Sequence, residues 1–454
     1  MDGKEKFEET SLPSIDKFFS KLYDESISEE EYGRAKDVWN HFQIKNMHQY
    51  HDLYLKTDTL LLADVFENFR RVSIENYDLD PCHYFTSPGL SLSACLKHTG
   101  VELELFTDID QLLFVERGIR GGISTICNRY SKANNQYLQN YNPSAPDSYI
   151  MYLDANNLYG YAMSEPLPVG GFKFLNADER RKLNIMSIGE DDEIGYIFDV
   201  DLEYPKYLHE SHNDYPLAPE SFEVSAEILS PHAKELLAKL GRKPCRATRK
   251  LVPNLCAKRN YVVHYRNLQF YIKHGLVVSK IHSVMKFTQR RWLAPYIDFN
   301  TQKRKAASSN FEKDFYKLLN NSLFGKTMES LRKRINVKLV TEQIQAERCV
   351  ANPVCESFRI INENITMVKS RVTKIRWDKP TYIGFCVLEL SKLLMHQFHY
   401  DYIKVRYGNN AKLLFTDTDS LCYELRTKDA YADMRRDADL FDTSDYPKTL
   451  IILR

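Results

Sequence analysis

Two aspartates, Asp417 and Asp419, stand between apolar runs in Lys412-Leu-Leu-Phe-Thr-Asp417-Thr-Asp419-Ser-Leu-Cys-Tyr-Glu-Leu425. The segment reads as a β-hairpin with both carboxylates at its tip. Residues two apart in extended chain point the same way, so the pair can face one cation. The chain holds five Asp-x-Asp pairs, at 78/80, 108/110, 199/201, 417/419 and 437/439. Most such pairs are merely solvated, and the flanking apolar strands single out 417/419. Its rival, 199/201, lies in Tyr196-Ile-Phe-Asp-Val-Asp-Leu-Glu203, whose alternation suits the wet face of a strand. A further carboxylate, Asp154, closes the apolar run Tyr149-Ile-Met-Tyr-Leu, a pattern that predicts a buried strand. An aspartate there can serve chemistry or simply cap the next helix. Lys313, Lys317 and Asn321 recur at i, i+4 and i+8 on one helical face. Lysines four apart repel, so an anion such as a triphosphate would be welcome between them; a solvated face is the alternative.

The elements that must carry these residues can be read coarsely. Apolar residues at Leu61, Leu62, Val65, Phe66, Phe69 and Val72 predict an amphipathic helix over Thr57–Tyr77. Arg120-Gly121-Gly122 breaks the pattern, and residues 134–148, rich in Asn, Ser and Pro, read as a loop. Further helices are expected over residues 306–330 and 382–400. With 454 residues, the chain is long enough for two to four domains. Its 43% hydrophobic and 27% charged residues exclude global disorder, and no apolar run reaches the ~18–20 residues of a membrane span. The start has no apolar core like that of a signal peptide. Nine cysteines without a CxxC pair read as reduced thiols of an intracellular, unsecreted protein.

Charge is segregated although the net charge is only +1. Residues 190–227 carry twelve acidic residues and one basic one, Lys206. Residues 236–297 carry fourteen Lys or Arg and no Asp or Glu, interleaved with Tyr261, Tyr265, Phe270, Tyr271, Phe287 and Trp292. Cations neutralise phosphates and aromatic faces stack bases, so this tract predicts nucleic-acid contact, with a solvated basic face as the bland reading.

Three of these places together resemble one family. Tyr152-Leu-Asp154-Ala-Asn-Asn-Leu-Tyr159 resembles motif A of family B DNA polymerases. Lys317-Leu-Leu-Asn-Asn321-Ser322-Leu-Phe324-Gly325 is similar to their motif B, and Phe415-Thr-Asp417-Thr-Asp419-Ser420 to their motif C. Ile119-Arg120-Gly121-Gly122 looks like the Gly-Gly element joining exonuclease and polymerase parts, and Tyr54-Leu-Lys-Thr-Asp58 like the third exonuclease motif. The likeness is to the protein-primed branch of viruses, linear plasmids and Maverick/Polinton elements. This chain departs from the pattern at Asn157, where Ser is usual, at Gly160 for Pro, at Phe324 for Tyr, and at Phe415-Thr416 for Tyr-Gly.

The resemblance implies an α/β (α+β) protein. A partial ribonuclease-H-like exonuclease region (1–115) would precede a palm (116–300, with the basic tract at 236–297) and a fingers helix (301–335). An insertion (336–380) and a second palm segment (381–454), ending before most of the thumb, would follow. The first two exonuclease motifs and a Lys-x-Tyr element are not found in the sequence, and Leu450-Ile-Ile-Leu-Arg454 reads as a strand cut short. It further implies that Asp154, Asp417 and Asp419 hold two Mg²⁺ ions, for which hard carboxylate oxygens are suitable ligands. Lys317, with Lys313 and Lys305, would meet the triphosphate; Asn321 and Phe324 would face the new base pair; Tyr159 would exclude a 2′-hydroxyl. Arg120, Gly121, Gly122, Ser322 and Gly325 would touch DNA, and Tyr54 and Asp58 would be an exonuclease remnant. The implied partners are primer-template DNA, dNTPs and a terminal protein primer, with no membrane. The implied activity is DNA-directed DNA synthesis; a catalytically inactive DNA-binding remnant is the alternative. An RNA-templated enzyme is disfavoured, because reverse transcriptases carry Tyr-x-Asp-Asp at motif C.

Overall fold

The computed structural model describes residues 4–19, 25–243, 247–362 and 364–442. Arg246 of the basic tract and the terminal run 450–454 therefore lie outside the described residues. The chain divides into two compact units, Met1–Phe85 and Thr86–Arg454, so the boundary falls well before the expected 115. The reason is packing. Helices Ser87–Thr99 and Ile109–Gly118 bury Leu90, Ala94, Cys95, Leu112, Phe114 and Val115 within the second unit. None of the described helices is long and apolar enough to cross a membrane. The eight described cysteines are free.

In the first unit, Ser28 and Glu31 form a capping box that starts helix Glu29–His41. The predicted amphipathic helix begins earlier than its apolar period, at Met47, where Asn46 accepts a hydrogen bond from the Gln49 amide. It ends at Tyr77, because Asp78 turns left-handed at φ +52°. Only the C-terminal part of its stripe is core: Val72 is buried and Phe69 half-buried, whereas Leu61, Leu62, Val65 and Phe66 are exposed.

Among its described residues the second unit contains four sheets. In chain order their strands are β1 (Ser124–Ile126), β2 (Tyr149–Asp154), β3 (Leu167–Phe174), β4 (Ile194–Glu203), β5 (Glu220–Val224) and β6 (Thr248–Val252). Then follow β7 (Lys258–His264), β8 (Val277–Arg290), β9 (Ile335–Val340), β10 (Cys355–Asn362), β11 (Ile365–Arg371), β12 (Ala411–Asp417) and β13 (Ser420–Leu425). The first sheet has the order β1-β12-β13-β2, with β12 and β13 forming the expected hairpin. Its inner face packs Leu413, Leu421, Tyr423 and Leu425 against Tyr215, Met395 and Ile403. Strand β2 was expected to be buried but is an edge strand, with Ile150 and Tyr152 exposed. The apolar run reflects one buried face and one open one. Helix Thr381–Gln397, buried along nearly its whole length, backs the core and continues into a π-helical turn, Phe398–Ile403. Residues 335–371 build a separate sheet of order β10-β11-β9, with helix Gln343–Ala351 against it.

The sheet β3-β8-β4-β7 explains the charge segregation. Acidic β4 lies between β8 and β7, both from the basic tract. Lys258 meets Glu220 at 2.9 Å, Arg259 meets Glu203 at 2.7 Å, and Arg291 meets Asp191 at 2.8 Å. Arg266, itself buried, bridges Glu165 and Glu190. The interleaved aromatics Tyr261, Tyr265, Phe270, Tyr271, Phe287 and Trp292 are all buried, so they form core and do not offer stacking faces to bases. Arg242, Lys243, Lys250, Lys280 and Arg290 remain exposed.

Candidate active site

The two strand ends that carry the aspartates are tied together by backbone. Strand β2 runs antiparallel to β13, placing Asp154 opposite Ser420, which on its other side faces Asp417. The Ala155 amide donates to the Asp419 carbonyl at 2.7 Å. The 417–419 segment is a turn and not extended chain: the Asp419 amide donates to the Asp417 carbonyl at 2.7 Å, and Thr418 is left-handed at φ +58°. The period-two argument for a shared direction therefore does not apply. Asp154 and Asp419 become neighbours, whereas Asp417 and Asp154 are separated by the width of β13, roughly 9–10 Å of backbone. Among the described residues no three His, Cys, Asp or Glu side chains gather as a metal cage; the backbone makes neighbours of Asp154 and Asp419, with Asp417 one strand further on. Burial and, after it, the charge of Asp419 push the Asp154 carboxyl above its usual range. A hydroxyl bridge, Tyr152 Oη to Ser420 Oγ at 2.9 Å, crosses from β2 to β13 at the same level.

Helix Leu158–Ser164 follows Asp154 and carries Tyr159 within reach of the Asp419 charge. Burial and the Asp419 charge raise the Tyr159 phenol above its ordinary value. Its ring stacks on Phe324, with centroids 4.3 Å apart. Phe324 belongs to helix Asn310–Thr327, which Ser309 caps and whose Phe315, Tyr316, Leu319 and Leu323 are buried. The opposite face is the one predicted: Lys313, Lys317 and Asn321 are all exposed. Lys305 is exposed near the end of the preceding helix, Ala294–Ala306, and Gly325 is exposed as well.

Other expected DNA contacts are corrected. Arg120 is buried at 9% exposure, donates to the Gly118 and Val262 carbonyls, and stacks 3.8 Å over Tyr261. It is committed to the interior and not to a template strand. A Cβ on Gly122 would lie 2.5 Å from the Thr418 side chain, so this glycine lets the chain approach the aspartate turn, while Gly121 is open. The Ser322 hydroxyl is buried without a partner. Tyr54 and Asp58 lie one turn apart on the exposed face of helix Met47–Tyr77, where a hydrogen bond to Asp58 raises the Tyr54 phenol.

The remaining Asp-x-Asp pairs are structural. Asp78 and Asp108 end and begin helices; Asp80 binds Arg70 at 2.8 Å. Asp199 meets Arg117 at 3.2 Å, Asp201 meets His282 at 2.8 Å, and Asp437 holds Tyr402 at 2.7 Å. Sequence reasoning missed Lys392 and Glu389, both buried behind the aspartate turn. The signal was available: two opposite charges three apart inside the apolar run Val387–Met395.

Residues 8–404 match the family described as DNA polymerase type B, organellar and viral. The chain belongs to this family. Among curated proteins none matches. Of solved structures, Phi29 DNA polymerase complexed with primer-template DNA and incoming nucleotide substrates is similar at 16% identity and a TM-score of 0.44, covering 78% of this chain and 50% of that one. Its orthorhombic crystal form gives 14% identity and a TM-score of 0.42, with 76% and 49% covered. The chain thus spans about half the length of those polymerases.

Proposed function

We propose that this type B polymerase chain carries the nucleotidyl-transfer centre of a DNA-directed DNA polymerase, adding dNTPs to a primer 3′-hydroxyl on template DNA. One observation carries the reading: Asp154 and Asp419, far apart in sequence, are neighbours, and the Asp419 charge also reaches Tyr159, whose ring stacks on Phe324. The donor set suits magnesium, being hard oxygen only; burial and, after it, repulsion from Asp419 raise the Asp154 carboxyl, and a bound cation would relieve that repulsion. Asp154 and Asp419 would hold the ions, with Asp417 beside them. Two Mg²⁺ would supply activation of the 3′-hydroxyl and neutralisation of the leaving pyrophosphate.

The chain's own groups do the rest. Lys317 and Lys313, exposed on one helix face, attract the triphosphate, with Lys305 near them in sequence on the preceding helix. Tyr159, fixed by Phe324, presents a ring to the sugar, where a 2′-hydroxyl would collide. Exposed Arg242, Lys243, Lys250, Lys280 and Arg290 supply the phosphate-binding share of the basic tract. The test is Mg²⁺-dependent primer extension by the 454-residue chain. Templated extension that disappears with Asp419→Ala supports the reading; extension indifferent to that change removes it.

A further inference from the structure

The least economical feature of the interior is a buried knot of charge behind the aspartate turn. Lys392 and Glu389, on helix Thr381–Gln397, have side chains 4% and 0% exposed and form an ion pair at 3.3 Å. Burying such a pair seldom stabilises a fold relative to apolar side chains of the same size, so its geometry calls for a role. The Lys392 ammonium donates to two carbonyls: Leu388 of its own helix at 2.8 Å and Arg120 at 2.9 Å. The second bond spans 272 residues of sequence and ends on the residue that opens the Gly-Gly element.

From Arg120 the connection runs directly to the site. The Arg120 guanidinium pins the same residue to the Val262 carbonyl and the Tyr261 ring. Two residues on, Gly122 lies so close to Thr418 that no Cβ fits between them. The next residue, Ile123, accepts a hydrogen bond from the Thr418 amide at 2.8 Å. Thr418 is the left-handed residue between Asp417 and Asp419, a conformation that costs free energy for a β-branched side chain and persists only where neighbours enforce it.

We infer that Lys392 is a positioning residue: by holding the Arg120 carbonyl it fixes segment 120–123, which in turn clamps Thr418 and so sets the place of Asp419 beside Asp154. Only the catalytic consequence rests on the polymerase reading; the mechanical linkage stands without it.

Hydrogen–deuterium exchange on the full chain tests the linkage. The double variant Glu389→Gln/Lys392→Met removes both charges of the pair at once, so that neither partner is left as a lone buried ion. Its 412–425 peptide should exchange at least tenfold faster around Thr418, while the β11 peptide 365–371, in a separate sheet, keeps its rate. An unchanged 412–425 peptide in the folded double variant would overturn the inference. If that variant does not fold, the unsubstituted protein decides. As urea rises, its Thr418 amide should open together with the amides of 388–392, and independent opening of Thr418 would refute the linkage. The catalytic arm is separate. In primer extension the double variant should need about tenfold more Mg²⁺ for half-maximal rate, with primer-template affinity unchanged. An unchanged Mg²⁺ requirement would overturn the positioning role. Absence of extension by the unsubstituted chain would count against the polymerase reading and leave the exchange result to judge the linkage.

Discussion

Tyr159 and Phe324 are stacked at 4.3 Å with their planes only 23° apart, although 159 belongs to the helix after β2 and 324 to the lysine-bearing helix. The contact couples the ring that would meet the sugar to the helix that would meet the triphosphate. Stacked aromatic pairs contribute about 0.5–1.5 kcal/mol beyond the area they bury. Tyr159→Ala should therefore admit ribonucleotides while dNTP incorporation persists. Phe324→Ala should weaken the same discrimination by roughly tenfold, which corresponds to ~1.4 kcal/mol. The ratio of rNTP to dNTP incorporation efficiency checks both, and no change in either variant would refute the assignment.

The aspartates should not be equivalent. Asp419 neighbours Asp154, whereas Asp417 lies across β13. Asp419→Ala should cost at least about a thousandfold in extension rate, near 4 kcal/mol of transition-state stabilisation. Asp417→Ala should cost less, on the order of tenfold to a hundredfold, or ~1.4–2.7 kcal/mol. Single-turnover rates at saturating Mg²⁺ distinguish them, and equal losses would argue for a symmetric role.

Two departures from the motif A pattern compensate each other. A Cβ on Gly160 would fall 1.9 Å from the Asn157 amide nitrogen, and Asn157 is held left-handed at φ +53°. Gly160→Ala should destabilise the protein by about 1–3 kcal/mol through overpacking. Adding Asn157→Ser should recover much of that loss, giving a coupling of about 1 kcal/mol. Urea unfolding of the two singles and the double provides the cycle.

Buried histidines should make the fold acid-labile. Burial lowers His212 to about 4, and His264 and His396 to about 3. Neither ring nitrogen of His264 or His396 has a hydrogen-bond partner in the structure. As pH falls below the unfolded value of about 6.5, the unfolded chain takes up protons that the folded chain refuses. Stability should drop by up to ~1.4 kcal/mol per pH unit per histidine down to about pH 4. His396→Leu should flatten the fall in urea midpoint between pH 7 and pH 5; an identical slope would show that His396 does not contribute.

The basic tract should divide into working and structural cations. Lys250→Ala and Lys280→Ala, at exposed positions, should each reduce the salt dependence of primer-template binding by roughly one phosphate equivalent. Arg266→Ala should instead lower the melting temperature, since it removes the buried partner of Glu165 and leaves that buried carboxylate to Arg291 alone. Binding titrations from low to moderate salt separate the classes. Equal slopes for the lysine variants and the unsubstituted chain would place the DNA path elsewhere.

What the sequence alone determined is local. The hairpin at 412–425 follows from two apolar strands and a polar tip, and the Lys313–Lys317–Asn321 face follows from helical spacing. Both depend only on neighbours within a few residues, and both stand in the structure. Tertiary structure decided which carboxylates meet. Flanking apolar strands single out the 417/419 pair in one dimension, but only the β2–β13 register brings Asp419 to Asp154. It also decided the fate of the charges. A basic tract read in isolation is a nucleic-acid footprint, but strand pairing laid the acidic segment against it, burying Lys258 and Arg266 and tying exposed Arg259 and Arg291 to carboxylates. The partners of Arg120 and Lys392 were beyond reach for the same reason: the carbonyls that hold these buried charges lie 142 and 272 residues away. Periodicity reports which face of an element is apolar. Which surface meets that face, and whether a charge on it faces water, is settled only when the distant strand arrives.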